Sequence, residues 1–491
     1  MLPPELWSLS PHDFNERRQK NDLPSLLEFF QQELPDFHEW MSQNNVTMDA
    51  FIKAPHTGDW FLGNNMRQFV SYFEEGHEKF IISDVLDPHY SFLETRKDKQ
   101  TIVFKPYLAW GTERNKRADF IPIDQGKSNP SDAPIYGLWA GTGNDFSRAY
   151  LLKRFAVLKL GQIELPNGVD IASRNLDFAD LDYLTIIGDF HGSYATTVSF
   201  SSCRNLSLTK GMLHHATFTR CVLFQLRCSD FRMHDFVFKD SEVDNPEIRN
   251  CSINGLSFEN SRVTSPILER NEIERFEYNP GRSWLGYTGE ADVCRRFRTA
   301  FQNIGKRAEA SKYYYRERCL ERKGLWSPYG QHLSEFPRKK FNGRLSGLIR
   351  YWKEGHFDNR KSLELFLDMI AFYFKVWLTP KYLMKASRYK AQYFTSLFEY
   401  FVWGYGEKPS RVVIVAVFVI GFFSSIYYLH GPTTSNVLDS VYFSVVTFTT
   451  LGYGDIHPTD AYMKIACGFE ALIGAVSVGL LIGGFANKSR Y

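Results

Sequence analysis

A chain of 491 residues is too long for one domain, and three or four are expected. Its overall hydropathy is negative, which confines membrane character to part of the chain. The net charge of +3 is too small to argue for a polyanionic partner, so nucleic acid is not expected to bind.

Met1-Leu2-Pro3-Pro4-Glu5 has neither the basic nor the apolar region of a signal peptide. Seven cysteines without CxxC spacing read as reduced cytosolic or core thiols. Residues 1–175 read as a mixed α/β domain of unassigned role. Ser25-Leu26-Leu27-Glu28-Phe29-Phe30 starts an amphipathic helix, and Phe80-Ile81-Ile82 and Thr101-Ile102-Val103-Phe104 are short buried strands. Gly141-Thr142-Gly143 lacks the Lys-Ser/Thr of a phosphate loop and reads as a surface loop. His56, His77 and His89 lack metal-ligand spacing.

Residues 176–280 repeat with a period of five. Stepping by five from Val198 gives Val198, Cys203, Leu208, Leu213, Phe218, Leu223, Cys228, Met233, Phe238, Val243, Ile248, Ile253, Phe258, Val263, Leu268, Ile273 and Tyr278, all apolar. At 44% apolar content such a run arises by chance on the order of once in a million. Neither a helix nor a strand holds one face at period five, but a chain that turns a corner every five residues does. The pattern resembles the pentapeptide-repeat family, which implies a right-handed quadrilateral β-helix. That fold wants small residues two positions before each inward apolar one. Ala216, Cys221, Ser241, Cys251 and Ser261 fit, while Leu226, Phe231, Phe236 and Leu256 depart and imply distorted or wider coils. The repeat cysteines fall on inward phases and read as core. Arg204, Lys210, Arg220, Arg227, Arg232, Lys239, Arg249 and Arg262 stud the outward positions and argue against DNA mimicry. A rigid spacer or assembly surface remains.

Residues 281–404 read as a helical linker. Gly289–Ile304 carries Val293, Phe297, Ala300, Phe301 and Ile304 on one stripe, Gly305 breaks it, and Lys306–Arg322 forms the second arm of a hairpin that resembles the tetratricopeptide type. Arg338-Lys339-Lys340 with Arg344, Arg350 and Lys353 suits anionic headgroups. Leu363–Leu378 and Tyr393–Trp403 read as juxtamembrane amphipathic helices. Gly404-Tyr405-Gly406 has no upstream Thr and reads as a helix end.

Residues 405–491 hold the apolar segments. Val412–Leu429 is about 27 Å long as a helix and Tyr462–Phe485 is a second span. Lys408 and Arg411 before the first span, with Lys488 and Arg490 after the second, put both chain ends in the cytoplasm. Between the spans a short helix over 437–449, capped by Asn436 with Asp439 in its first turn, runs into Thr450-Leu451-Gly452-Tyr453-Gly454-Asp455.

Thr447-x-x-Thr450 followed by Leu451-Gly452-Tyr453-Gly454-Asp455, between two spans, resembles the filter of the bacterial two-transmembrane potassium channel family, over roughly residues 405–487. The resemblance implies K⁺ held by the carbonyls of Thr450, Leu451, Gly452 and Tyr453, with Gly454 completing the filter and Thr447, Asp455, Tyr442 and Glu470 supporting it. Leu451 stands where Val is commoner, and Tyr442-Phe443 where the family has a Trp pair. Gly474 is the hinge candidate, with Gly479 and Gly483-Gly484 as alternatives and tight helix packing as the rival reading. Glu470, inside the second span, is expected to bond a pore-helix hydroxyl such as Ser444. Closure of the filter implies a homotetramer in the cell membrane, without cofactor beyond permeant K⁺ and without covalent chemistry. Seven residues follow Gly484, so regulation is expected from the N-terminal side, where an unknown ligand or protein would bind. The alternative is an enzymatic or ligand-sensing N-terminal domain driving a less selective, depolarising pore.

Overall fold

The computed structural model describes residues 2–85, 98–114, 158–188, 196–280, 286–326, 380–430 and 436–489, apart from positions 35, 64, 166, 167, 170 and 172. Gly141-Thr142-Gly143, His89, the basic cluster at 338–353 and Leu363–Leu378 lie outside these residues. The chain forms two compact units, Met1–Trp284 and Leu285–Tyr491.

The first unit begins with short helices set by their caps. Ser10 Oγ accepts from the Asp13 N–H at the start of Pro11–Arg17, and Thr47 Oγ1 from the Ala50 N–H at the start of Met48–Lys53. The amphipathic helix spans Leu23–Glu33. Strands β1 (Arg67–Glu74), β2 (His77–Asp84) and β3 (Gln100–Phe104) form an antiparallel sheet in the order β2-β1-β3. Trp40, Trp60, Phe30, Phe37, Phe51, Phe61 and Phe104 fill the space between helices and sheet, each fully buried.

Phe178 and Phe200, from the first coils of the repeat, belong to that same core and stack at 4.9 Å. The expected modules on either side of residue 175 therefore share one interior. A polar pin holds them together. Arg18, 2% exposed, donates to the carbonyls of Asn175 (2.5 Å) and Asp177 (3.0 Å). The fully buried Asp177 carboxylate accepts from the Gly58 N–H (2.8 Å) and the Ser199 N–H (2.7 Å). Trp7 Nε1 donates to the Leu160 carbonyl, tying the N-terminal helices to the same end.

The repeat is a β-solenoid with all ladders parallel. Its four faces are seen in the partners Leu223 with Val243, Cys228 with Ile248, Met233 with Ile253, and Phe238 with Phe258. From Thr196 onward each coil advances 20 residues, as in the Cys221–Ser241 bond. Corner residues spaced by five are left-handed, for example Asp230, Asp235, Asp240 and Asn245 at φ 53, 52, 50 and 52°. Of the apolar period, only Leu268 is merely half-buried.

The small inward position has a second task. Ser241 Oγ accepts from the Cys221 N–H, Ser261 Oγ from the Ser241 N–H, and Asn271 Oδ1 from the Cys251 N–H, each at 2.9–3.0 Å. These side chains satisfy corner amides that no ladder reaches. Leu226, Phe231, Phe236 and Leu256 are nonetheless buried, and the ladder stays regular through Phe236. Distortion appears at Ile253–Leu256, where the register slips against Glu272–Asn279 and Gly255 takes φ +123°. Cys203, Cys221, Cys228 and Cys251 are all buried, and burial pushes the Cys251 thiol up to about 11.

In the second unit, Gly286–Asn303 and Arg307–Trp326 form the helical hairpin, with Gly305 left-handed between them. The helix Pro380–Val402 follows, then Ser410–Leu429, Val437–Phe448 and Ala461–Ser489. Two helices, Ser410–Leu429 and Ala461–Ala486, are long and apolar enough to cross a membrane. Phe418, Leu429 and Ile482 are 75%, 79% and 64% exposed, an outward apolar surface that suits lipid or further chains.

Candidate functional site

The site is built where the short helix ends. Asn436 Oδ1 accepts from the Asp439 N–H at 2.8 Å and fixes the start of Val437–Phe448. At the other end the Thr450 N–H donates to the Thr447 carbonyl and the Leu451 N–H to the Val446 carbonyl, both at 3.0 Å. The backbone then alternates. Thr450, Gly452 and Gly454 are left-handed at φ 59, 57 and 82°, while Leu451 and Tyr453 are not. Such alternation turns successive carbonyls toward one side. The glycines take it without strain; Thr450 takes it against its β-branch. That strained threonine was not legible in the sequence, which pointed only to the glycines.

Leu451 and Tyr453 are 60% and 68% exposed, and every residue from Thr450 to Gly454 is open to the surroundings. Asp455 is tied back: Tyr442 Oη donates to its carboxylate at 2.9 Å. Phe443 instead turns inward and meets Tyr427 at 4.8 Å. Thr447 is half-buried and contributes its carbonyl to the turn.

Glu470 is fully buried and joins three helices. Tyr427 Oη, from the first span, donates to its Oε2 at 2.6 Å, and Ser444 Oγ, from the short helix, donates to Oε1. Tyr427 was missed from sequence, because a tyrosine near the end of an apolar helix reads as an interfacial residue. Gly474 lies one turn further on. A Cβ there would sit 1.8 Å from the Phe448 carbonyl oxygen, so the glycine permits close approach of the second span to the short helix. Among the described residues, Gly479 and Gly483 have nothing within 4 Å of a Cβ.

Gly404-Tyr405-Gly406 does end a helix, with all three residues left-handed at φ 59, 60 and 85°. It is also a joint. Tyr405 is 4% exposed; its hydroxyl accepts from Arg322 Nε at 3.2 Å and lies 3.1 Å from Ser396 Oγ. Arg411 donates to the Tyr400 carbonyl and to Tyr315 Oη, Lys408 lies over the Tyr315 ring at 4.4 Å, and Glu407 accepts from Ser311. On the other side a Cβ on Gly484 would lie 3.1 Å from Pro409 Cβ and 3.9 Å from the Gly406 carbonyl oxygen. The bend thus touches the hairpin and the last turns of the second span together.

Residues 413–490 match the family described as Ion channel. Over 85 residues the chain is 36% identical to Two pore potassium channel b of Oryza sativa subsp. japonica, which covers 16% of this chain and 24% of that protein. Two pore potassium channel a of the same plant is 37% identical over 76 residues, covering 15% and 22%. Two-pore potassium channel 1 of Arabidopsis thaliana is 44% identical over 55 residues, covering 11% and 15%. The chain therefore spans less than a quarter of the length of these curated relatives. No solved structure matches.

Proposed function

We propose that this chain is one subunit of a potassium channel of the cell membrane, with both chain ends cytoplasmic and four copies closing one pore. The observation that carries the reading is the alternating backbone of Thr450, Gly452 and Gly454 at the end of a capped helix between two spans. A dehydrated cation needs oxygen ligands on all sides, and one loop supplies them from one side only. The names of the relatives count two pores, whereas this sequence carries a single Thr-x-Gly-Tyr-Gly-Asp stretch. One filter loop per chain supports closure by four copies around a shared axis. The carbonyls of Thr450, Leu451, Gly452 and Tyr453 and the Thr450 hydroxyl would replace the water of K⁺. The C-terminal dipole of the short helix would favour a cation near it. Leu451 contributes through its carbonyl, so its side chain need not match the commoner valine.

The purified protein in liposomes should pass K⁺ and Rb⁺ in preference to Na⁺. Gly452→Ala, at a left-handed position, should cut K⁺ flux at least about tenfold while the assembly keeps its size, since a Cβ in that conformation costs roughly 1–2 kcal/mol per subunit. Equal flux of K⁺ and Na⁺, or full flux through the alanine variant, would sink the reading.

Regulation would enter through the Gly404–Pro409 bend, because it is packed against both the hairpin and the second span. Tyr405→Ala should change the open fraction several-fold and leave the K⁺/Na⁺ ratio alone. An unchanged open fraction, or a changed ion ratio, would remove the bend from this role.

A further inference from the structure

The hairpin and the bend enclose a half-open cleft of about 190 Å³ that the pore reading does not use. Arg298 and Gln302 face it from one helix, four residues apart. Arg307, Ser311 and Tyr314 face it from the next helix at four- and three-residue spacing, and Glu407 closes it from the bend. The two guanidiniums are differently placed. Arg298 is held at 3.2 Å by Glu317 and stacks over Tyr314 at 5.4 Å. Arg307 and Gln302 have no side-chain hydrogen bond or ion pair among the described residues. The cleft thus offers donors from two arginines and one amide on one wall, and a carboxylate acceptor on the other.

A fully ionised anion would meet repulsion from Glu407. A neutral molecule would gain nothing from the charge of Arg307, which is exposed at the mouth of the cleft. An oxyanion that keeps one proton satisfies both walls: its charged oxygens take Arg298, Arg307 and Gln302, and its O–H donates to Glu407. We propose that this cleft binds a phosphate group, carried by a soluble phosphate or by a lipid headgroup, and selects it by its remaining proton. The bound O–H would compete with Ser311 for Glu407, which is how occupancy would be felt at the bend.

The test is titration of the full chain in detergent with inorganic phosphate at about pH 6, where a phosphate keeps a proton, and in parallel with sulfate, which does not. Saturable phosphate binding is expected, with sulfate weaker by about tenfold or more because it meets the same donors but faces Glu407 with no proton to give. Arg307→Gln should weaken phosphate about tenfold, the loss of one charge-assisted contact. Glu407→Gln should erase the preference over sulfate. Arg296→Gln, on an exposed i,i+4 pair with Asp292, should change nothing. Thermal melts of each variant report folding. Nanodiscs of phosphatidylcholine with phosphatidate distinguish the sources: competition by phosphatidate assigns the group to a lipid, and its absence assigns it to a soluble phosphate. No saturable binding, equal affinity for sulfate, or an Arg307→Gln variant that binds as the parent would overturn the proposal.

Discussion

Gly474→Ala is expected to abolish most K⁺ flux and to lower ion selectivity in what remains. The added Cβ would stand 1.8 Å from the Phe448 carbonyl oxygen and 2.8 Å from its carbon, both backbone atoms that no rotamer change can remove. The second span and the short helix must therefore part. Overpacking of this kind costs about 1–3 kcal/mol per site. The displaced atom belongs to the last residue of Val437–Phe448, two positions before Thr450, so the shift is delivered directly to the backbone that holds the ion. Loss of even about 1.4 kcal/mol of ion stabilisation at the barrier is tenfold in rate. Gly479→Ala and Gly483→Ala meet no neighbour within 4 Å among the described residues of the chain and should pass ions within about two- to threefold of the parent. If Gly474 were only a bend point, its alanine variant would alter the open fraction and keep both stability and K⁺/Na⁺ ratio. Flux with K⁺ and Na⁺ gradients, read beside a thermal melt, separates the two roles.

The second large effect lies in the first unit. Asp177→Ala should destabilise it by about 3–5 kcal/mol, the cost of stripping the partner from a buried polar cluster. The substitution orphans the Gly58 and Ser199 N–H groups and takes a negative charge from beside the buried Arg18. Asp177→Asn should cost less but not little, because an amide offers one acceptor oxygen where two donors converge. Changing Arg18 to Met together with Asp177→Ala should recover little of the loss, since Asp22, 3.9 Å from the Arg18 guanidinium, then loses its cation and the Asn175 and Asp177 carbonyls lose their donor. Denaturant unfolding followed by tryptophan fluorescence reads this, with Trp40 and Trp60 in the affected core. A single-variant cost below about 1 kcal/mol, the range of an ordinary surface change, would mean that the pin is not what joins helices to coil.

Legibility followed how local the signal was. The period of five was plain from Val198 onward, because each residue of that series answers to the same corner geometry. The coils before it obey the same rule: Leu176, Leu181 and Ile186 are buried, and Phe178, Tyr183 and Gly188 are left-handed. They lie inside the expected repeat but out of phase with Val198, because Ile186 and Val198 are twelve positions apart, not a multiple of five, and the ladder there pairs Ile186 with Leu208 rather than with a residue twenty on. Both strands named in the N-terminal region are present, as β2 and β3. Their partner β1 was not named, and neither were the helices around Trp7 and Trp40, whose stability comes from distant aromatic contacts. In the second unit the helix ends moved little, Val412 to Ser410 and Tyr462 to Ala461. The bond between Ser444 and Glu470 was anticipated because an intramembrane carboxylate needs a donor. The second donor, Tyr427, was not, since its identity depends on which face of the first span turns inward. Tyr405 reads from sequence only as part of a helix end, and its contacts with Arg322 and Ser396 arise through tertiary packing.

The uniform coil gives the first unit an unusual tolerance to one kind of genetic change. Loss of the segment from Val222 to Ser241 would carry Cys221 onto Glu242, and every inward residue would still follow an inward residue. The solenoid would simply be shorter by one strand spacing, about 4.8 Å. A deletion of one residue, by contrast, would turn every later core side chain outward. In-frame gains and losses of twenty codons are therefore the steps by which such a solenoid can change length, and the pairing of Ile186 with Leu208, twenty-two positions on, marks a place where that count is broken.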